Sequence, residues 1–161
     1  MINSSMAKYQ QGVFAPKNPD KYIGKHAPRY RSGWELAFMR MCDNHPGIMG
    51  WASESHRIPY LNPLTGKAKT YVPDFFIVYN DKNGKKHAEL IEVKPSKQIM
   101  GNAKTKNDQM AAVVNEAKWK IARQWASQQG VGFRIITENE LFNKPQGTKA
   151  RKPKPPKGRK K

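Results

Sequence analysis

Two acidic residues stand inside strand-like segments, and this feature limits the possible folds more than any other. The segment from Tyr71 to Tyr79 is rich in aromatic and β-branched residues, and a second apolar run covers Leu90 to Val93. Asp74 lies in the first run and Glu92 in the second. Carboxylates are seldom buried unless they are paired or bound to a metal. A sheet built from these two runs must therefore give both acids a partner.

The polar turn between the runs decides whether the two acids meet. The sequence DKNGK at positions 81–85 allows two hairpins. With a two-residue Asn83-Gly84 turn, Asp74 and Glu92 point to opposite faces of the sheet. With a three-residue loop whose Gly84 is left-handed, Asp74 lies directly opposite Glu92, with side-chain roots about 5 Å apart. Both registers are open from sequence.

The second register predicts a metal site. Two carboxylates at that separation repel each other unless a cation lies between them, and Mg²⁺ prefers such oxygen ligands, with Mn²⁺ as its expected substitute. Lys94 would share a strand face with Glu92, where it could activate a water or stabilise the charge of a phosphate. The alternative is a structural hairpin with an exposed Asp74 and a simple Glu92–Lys94 pair.

The charge balance indicates a polyanionic partner. The 161 residues include 30 Lys and Arg but only 12 Asp and Glu, a formal net charge of +18. Nine of the basic residues follow Glu140, where no acid occurs, so the body of the chain is basic as well. We expect DNA as the partner. A membrane is not expected, because the sequence has no long apolar segment, no signal peptide and no strongly amphipathic basic helix.

Cysteine and histidine usage argues against disulfides and zinc. Cys42 is the only cysteine, which excludes an intrachain disulfide and favours a reducing compartment. The four histidines are scattered and show no zinc-ligand spacing.

Three segments are predicted. Residues 1–31 are an extended arm rich in Gly and Pro, residues 32–143 form the folded domain, and residues 144–161 are a disordered basic tail. The aromatic residues of the arm are expected to pack on the domain, although among so many basic residues they could instead help to hold DNA. These aromatic residues are Tyr9, Phe14, Tyr22 and Tyr30.

The order of elements predicts an α/β fold, with a mixed β-sheet flanked by helices. The predicted elements are a helix from Ser32 to about Asn44, one or two strands within Ile48 to Tyr60, the hairpin, a helix from about Asn107 to Gln129 ended by Gly130, a strand from Phe133 to Ile136 and a helical turn beginning at Thr137.

Residue spacing predicts which side chains face the core. The predicted core residues are Trp34, Phe38 and Met41 on the first helix, Trp51 and Ile58 on the strands, and Met110, Val113, Ala117, Ile121 and Trp125 on the long helix. Trp119 lies off the last stripe, and we expect it to pack on a second surface.

Two further acids have two possible roles each. Glu35 follows Ser32 by three residues, which is a capping box, so it can simply cap the first helix. Glu54 can be a surface residue or a salt-bridge partner. Glu54 could also be a second candidate acid near the metal site.

Pro73-Asp74 followed by Glu92-Val93-Lys94 resembles the PD-(D/E)XK nuclease superfamily. Further blocks between about Tyr30 and Leu141 resemble the head-completion nuclease family of tailed phages. These blocks are Tyr30-Arg31-Ser32-Gly33-Trp34-Glu35, Trp51-Ala52-Ser53-Glu54, Ile58-Pro59-Tyr60, Ile91-Glu92-Val93-Lys94-Pro95, Lys118-Trp119-Lys120 and Phe133-Arg134-Ile135-Ile136-Thr137-Glu138.

The resemblance implies a restriction-endonuclease-like core and a Mg²⁺-dependent endonuclease or end-trimming nuclease. It implies that Asp74, Glu92 and the Val93 carbonyl bind the metal, and that Glu35 is a further ligand or acts through a water. It implies that Lys94 positions or deprotonates the attacking water. Such a protein would act on packaged DNA before tail joining, in the host cytoplasm or in the virion, beside head or portal-vertex proteins.

The remaining basic residues are the expected DNA contacts, although a solvated loop is the more common role for a basic segment such as 96–106. Phosphate contacts carry no base information, so this binding would have no sequence preference. The expected contacts are Lys97, Lys104, Lys106, Lys118, Lys120, Arg151 and Lys152. Two alternatives stay open: a non-catalytic DNA-binding protein of the phage head or neck, or a basic protein whose acid pattern is a coincidence.

Overall fold

The computed structural model describes residues 11–142. Its elements in chain order are β1 (Gly12–Val13), β2 (Arg29–Tyr30), α1 (Gly33–Asn44), β3 (Ile48–Ser53), β4 (Ile58–Leu61), β5 (Ala68–Tyr71), β6 (Phe75–Asn80), β7 (Lys86–Val93), α2 (Lys106–Gln129), β8 (Gly132–Ile136) and α3 (Glu138–Phe142). Short 3-10 turns cover Pro19–Lys21 and Ser96–Gln98.

A four-stranded mixed sheet in the order β3-β6-β7-β8 forms the centre of the fold. The β3–β6 and β6–β7 pairs are antiparallel, whereas β7 and β8 are parallel. Parallel neighbours need a long crossover, and α2 supplies it. The predicted α/β fold with a mixed sheet and flanking helices is confirmed, and it fits a PD-(D/E)XK-like nuclease domain.

Each face of the sheet carries its own apolar cluster. On one face, Trp34, Phe38, Met39 and Cys42 of α1 pack against sheet residues that include Trp51. On the other face, α2 packs against a cluster that includes Ile58, Tyr71 and Leu90. Both predicted strand anchors, Trp51 and Ile58, are fully buried.

The predicted core face of α1 is partly wrong. Trp34 and Phe38 are buried as expected, but Met41 is 38% exposed, and Met39 and Cys42 are buried instead. Because Cys42 follows Phe38 by four residues and Met39 by three, these residues complete a stripe that faces the sheet, and Met41 lies outside it.

The predicted stripe of α2 is partly wrong as well, although Ile121 and Trp125 do pack against the cluster that includes Leu90. Met110 is 45% exposed, and Val113, Ala117, Ile121 and Trp125 are only half-buried. The buried residues are Ala112, Asn115, Trp119, Ala122 and Ala126, at alternating intervals of three and four. Small alanines allow the helix to approach the sheet closely, so the bulkier residues flank the contact. Trp119 therefore packs, as expected, but on the main contact surface. The predicted cap is confirmed, since Gly130 has a left-handed φ of 76°.

The segment predicted as one strand from Tyr71 to Tyr79 is divided in two. Tyr71 ends β5 and pairs with Ile58 of β4, whereas Phe75 begins β6. Pro73 separates the two strands and has no N–H to donate to a sheet ladder.

The described part of the N-terminal arm is packed against the domain. The carboxylate of Asp43, which is 1% exposed, accepts hydrogen bonds from the backbone N–H groups of Lys17 (2.8 Å) and Asn18 (3.0 Å). The rings of Phe14 and Tyr22 lie 6.0 and 4.7 Å from that of Trp51. The expected packing role is confirmed for these two aromatic residues.

Tyr30 also packs against the α1-side cluster, as expected. Tyr9 and the predicted tail 144–161 lie outside the described residues. Within residues 11–142, no helix is long and apolar enough to cross a membrane.

Candidate active site

The hairpin between β6 and β7 has the three-residue loop. The Asp81 N–H donates to the Lys85 carbonyl over 2.9 Å, and Gly84 is left-handed, with a φ of 81°. Phe75 pairs with Ile91, so extending this register by one residue places Asp74 opposite Glu92. The two acids therefore share a face, and the interpretation that placed them on opposite faces is wrong.

Asp74 immediately precedes β6, and one of its carboxylate oxygens already accepts a hydrogen bond. Its Oδ2 accepts a 2.8 Å hydrogen bond from the Val93 N–H. Its backbone carbonyl accepts from the Glu54 N–H over 2.9 Å. Among residues 11–142, Oδ1 accepts no hydrogen bond, so it is the carboxylate oxygen available to a ligand.

Glu92 is buried, with 5% of its surface exposed. Its Oε1 accepts a 2.7 Å hydrogen bond from the Tyr71 hydroxyl, and its Oε2 lies 3.3 Å from Nζ of Lys94. The expected proximity of Glu92 and Lys94 is thus present, and the tyrosine adds a second fixed contact. Because each oxygen has one neighbour, the orientation of this carboxylate is well defined.

Burial and the neighbouring acids both make the charged form of Asp74 unfavourable. Burial raises the pKa of Asp74 well above its usual value, and the charges of Glu92 and Glu35 raise it further. The Val93 N–H and Lys94 oppose this rise in pKa without cancelling it. Burial, followed by the charge of Glu92, also raises the pKa of Tyr71, which therefore stays a hydrogen-bond donor. A bound cation would relieve this repulsion.

Glu35 lies near this pair but has a contact of its own. Ser32 Oγ accepts from the Glu35 N–H over 3.1 Å, as a capping box requires, but the Glu35 carboxylate accepts from the Arg31 N–H over 3.0 Å. Burial raises the pKa of Glu35, the Arg31 N–H lowers it, and the charges of Glu54 and Glu92 raise it.

A three-carboxylate metal cluster is absent from the described part of the chain. Among residues 11–142, no group of three or more His, Cys, Asp or Glu side chains is arranged to hold a metal ion. Direct ligation by Glu35 therefore stays a prediction, as does ligation by the Val93 carbonyl. The other predicted role of Glu35, contact with the metal through a water, stays a prediction as well.

Lys118 is a predicted DNA contact whose charge interacts with those of Glu92 and Asp74. This α2 side chain is half-buried, with Nζ 5.6 Å from the ring centre of Tyr71 and 5.8 Å from that of Tyr60. Burial lowers its pKa, and the charge of Lys94 lowers it further. Lys120 is exposed and lies about 200° away around the helix.

The other predicted DNA contacts are spread along the chain. Lys97, Lys104 and Lys106 are exposed in or beside the connection between β7 and α2. Arg151 and Lys152 lie outside the described residues.

Comparison with known proteins assigns the chain to a family. Residues 45–138 match the family described as TnsA-like endonuclease N terminal. The chain is also 35% identical over 142 residues to the head completion nuclease of Enterobacteria phage T4, covering 81% of this chain and 92% of that protein. The chain belongs to the head-completion nuclease family. The TnsA-like match contains Asp74, Glu92, Lys94 and Lys118, whereas Glu35 precedes it.

Sequence reasoning missed two contacts in this member of the head-completion nuclease family. Tyr71 looked like an ordinary strand residue, and only the pairing of β4 with β5 explains why its hydroxyl reaches Glu92. Arg31 binds Glu54, with Nε 2.8 Å from Oε2, so the predicted salt-bridge role of Glu54 is confirmed while its partner was not foreseen. Neither contact has a local sequence signal, because its two residues are about twenty positions apart.

Proposed function

We propose that this protein is a metal-dependent deoxyribonuclease that hydrolyses DNA during phage head completion. The observation that carries the proposal is the placement of Asp74 opposite Glu92, with the ammonium group of Lys94 3.3 Å from Glu92. Membership of the head-completion nuclease family supports it, since the relative from phage T4 is named a head completion nuclease.

The residues present fit a hard divalent cation. Asp74 and Glu92 supply carboxylate oxygens, which Mg²⁺ and Mn²⁺ prefer over nitrogen or sulfur. The raised pKa of Asp74 comes from burial and neighbouring negative charge, and a dication would offset both. We propose Asp74 Oδ1 and Glu92 Oε2 as the ligand atoms, together with the Val93 carbonyl, and Glu35 as a group that acts through a water.

Each group of the site has a separate role in phosphodiester hydrolysis. The cation, when bound, would polarise the phosphoryl oxygen and make water a stronger nucleophile. Lys94 positions the attacking water and stabilises the negative charge that develops on the phosphate. Tyr71 holds Oε1 of Glu92, and the Val93 N–H holds Oδ2 of Asp74, so both carboxylates keep a fixed orientation. Fixed ligand carboxylates reduce the reorganisation needed at the moment of reaction.

The basic surface supplies affinity for DNA without choice of sequence. We propose that Lys118 and the loop lysines Lys97, Lys104 and Lys106 contact backbone phosphates, together with the basic residues after Glu140. Such contacts release counterions, so DNA binding should weaken steeply as salt rises. The place of action would be the packaged DNA end beside head or portal-vertex proteins, in the host cytoplasm.

The deciding experiment is cleavage of supercoiled and linear DNA with and without Mg²⁺. We expect wild-type protein to cut only with the metal, and Asp74→Ala and Glu92→Ala to bind DNA without cutting it. Asp20→Ala, which removes an exposed acid from the arm, serves as the control and should cut normally. Cleavage that survives in both site variants would refute the proposal. Normal phage assembly with Asp74→Ala would point to a structural role in the head or neck.

A further inference from the structure

A cleft lined by arginines lies beside the candidate active site. It has a volume of about 430 Å³, and the residues that line it include His26, Arg29, Arg31, Ser53, Glu54 and Arg57. We call it the arginine cleft. Arg29, Arg31 and Arg57 are all exposed, and Glu54 is the one acid among the lining residues. This surface attracts anions.

Backbone hydrogen bonds connect the arginine cleft to two acids of the candidate active site, Asp74 and Glu35. The Glu54 N–H donates to the Asp74 carbonyl over 2.9 Å. The Arg31 N–H donates to Glu35 Oε1 over 3.0 Å. Val72, which also lines the cleft, precedes Asp74 by two residues. A polymer lying across Asp74 would therefore reach the cleft with its neighbouring units.

Glu54 contacts the Arg31 guanidinium group with the geometry that a phosphate would use. Arg31 Nε lies 2.8 Å from Oε2 and Nη2 lies 3.2 Å from Oε1, which is the two-pronged geometry that guanidinium groups form with carboxylates and phosphates. The pair is open to solvent, with side chains 58% and 34% exposed. Such exposed pairs are weak and exchange readily for another anion.

Two further observations support an exchangeable contact. Glu54 has a φ of 52°. Non-glycine residues seldom adopt this backbone conformation, so the backbone at Glu54 is strained. Within residues 11–142, Arg29 and Arg57 have no carboxylate at ion-pair distance, so two positive charges in the arginine cleft stay uncompensated.

We propose that the arginine cleft binds backbone phosphates of the DNA substrate next to the scissile bond, and that Glu54 stands in for one of these phosphates when DNA is absent. The proposal rests on the proposed function, because it specifies how the same site holds its substrate. It places DNA contacts on β2 and on the connection between β3 and β4. The contacts predicted from sequence lie instead on α2, on the segment before it and after Glu140.

The first test compares two double variants that remove the same charge. Arg29→Ala/Arg57→Ala removes two cations from the arginine cleft. Lys82→Ala/Lys85→Ala removes two from the hairpin loop, which lies at the far end of β7, about 20 Å from Glu92 at the usual rise per residue. Duplex DNA binding is measured by fluorescence anisotropy in EDTA, at several salt concentrations.

We expect the arginine double variant to raise the Kd about tenfold and to make the salt dependence shallower by about two in log–log slope. The lysine control should change the Kd less than twofold. Equal effects of the two double variants would overturn the proposal, because the arginines would then act only through net charge.

The second test compares substitutions at Arg31 and Glu54, which are expected to change DNA affinity in opposite directions. Arg31→Ala should weaken DNA binding, whereas Glu54→Gln should tighten it several-fold, since the internal competitor is removed. If the pair only ties the arm to the domain, neither variant would tighten binding, and the stand-in role would be refuted. Thermal unfolding followed by circular dichroism confirms that each variant is folded. Arg31→Lys keeps the positive charge but cannot form the two-pronged contact of a guanidinium group, so it should bind DNA with intermediate affinity.

These experiments distinguish failure of the proposed nuclease function from failure of the proposed DNA binding by the arginine cleft. Loss of binding in the arginine double variant together with no cleavage by wild-type protein would refute the nuclease function and keep the arginine cleft. Cleavage by wild-type protein together with equal binding by both double variants would refute only the arginine cleft.

Discussion

The hydroxyl of Tyr71 donates a 2.7 Å hydrogen bond to Oε1 of Glu92 in the interior of the protein. Tyr71 is 3% exposed and ends β5, a strand outside the central sheet. The contact thus connects the small β4–β5 sheet to one of the proposed metal ligands. It gives the outer sheet a role in orienting the reactive carboxylate.

Replacing Tyr71 by Phe should lower the rate of DNA cleavage by about 10- to 100-fold, because a ligand carboxylate without its fixing hydrogen bond adopts several orientations. DNA affinity should be unchanged. Single-turnover cleavage kinetics measure this effect, and Tyr60→Phe is the matched control, since Tyr60 also lies beside Lys118. Equal rates for Tyr71→Phe and wild type would show that the hydrogen bond only stabilises the fold.

Replacing Lys94 by Ala should abolish detectable cleavage while the Kd for DNA stays within about twofold of wild type. The reason is that Nζ lies 3.3 Å from Glu92 and is directed at the carboxylates, where only the reacting phosphate and water would meet it. Anisotropy and cleavage assays on one preparation measure both quantities. A parallel loss of binding and cleavage would identify Lys94 as a phosphate anchor instead.

Replacing Asp43 by Ala should lower the free energy of unfolding by about 3 kcal/mol, because two backbone N–H groups of the arm would lose a charged acceptor. Urea denaturation measures the change. The exposed Asp20→Ala variant is the control, and its stability should stay within about 0.5 kcal/mol of wild type. Equal stability of the two variants would mean that these two hydrogen bonds do not stabilise the fold.

Deleting residues 144–161 should weaken DNA binding most strongly at low salt, because the deletion removes nine Lys and Arg and their counterion release. The melting temperature should not change, since the sheet and both long helices lie within residues 11–142. Titrations at three salt concentrations and a thermal scan measure the two effects. A large fall in melting temperature would show that this segment supports the folded domain.

The features that sequence predicted correctly depend on local backbone chemistry. Gly84 specifies the three-residue loop because it accepts a left-handed conformation, and that loop alone sets Asp74 against Glu92. Gly130 ends α2 for the same reason, and Ser32 caps α1 through its side-chain oxygen. Each of these signals acts over a few residues, so it can be recognised without knowledge of the fold.

The features that sequence did not predict depend on tertiary contacts. The buried face of α2 is set by how closely alanines let it approach the sheet, which a count of large apolar residues such as Met110 misrepresents. The hydrogen bond of Tyr71 with Glu92 depends on where β5 stops, and the pair of Arg31 with Glu54 depends on how the arm is packed. Such contacts join positions about twenty residues apart and leave no periodic pattern.

Anomalous diffraction from a crystal soaked in Mn²⁺ would locate a bound ion without relying on activity. We expect one strong anomalous peak within coordination distance of Asp74 Oδ1 and Glu92 Oε2, and no such peak in Asp74→Ala crystals treated in the same way. A wild-type crystal in excess Mn²⁺ with no peak between the two carboxylates would contradict the proposal that they hold a catalytic metal.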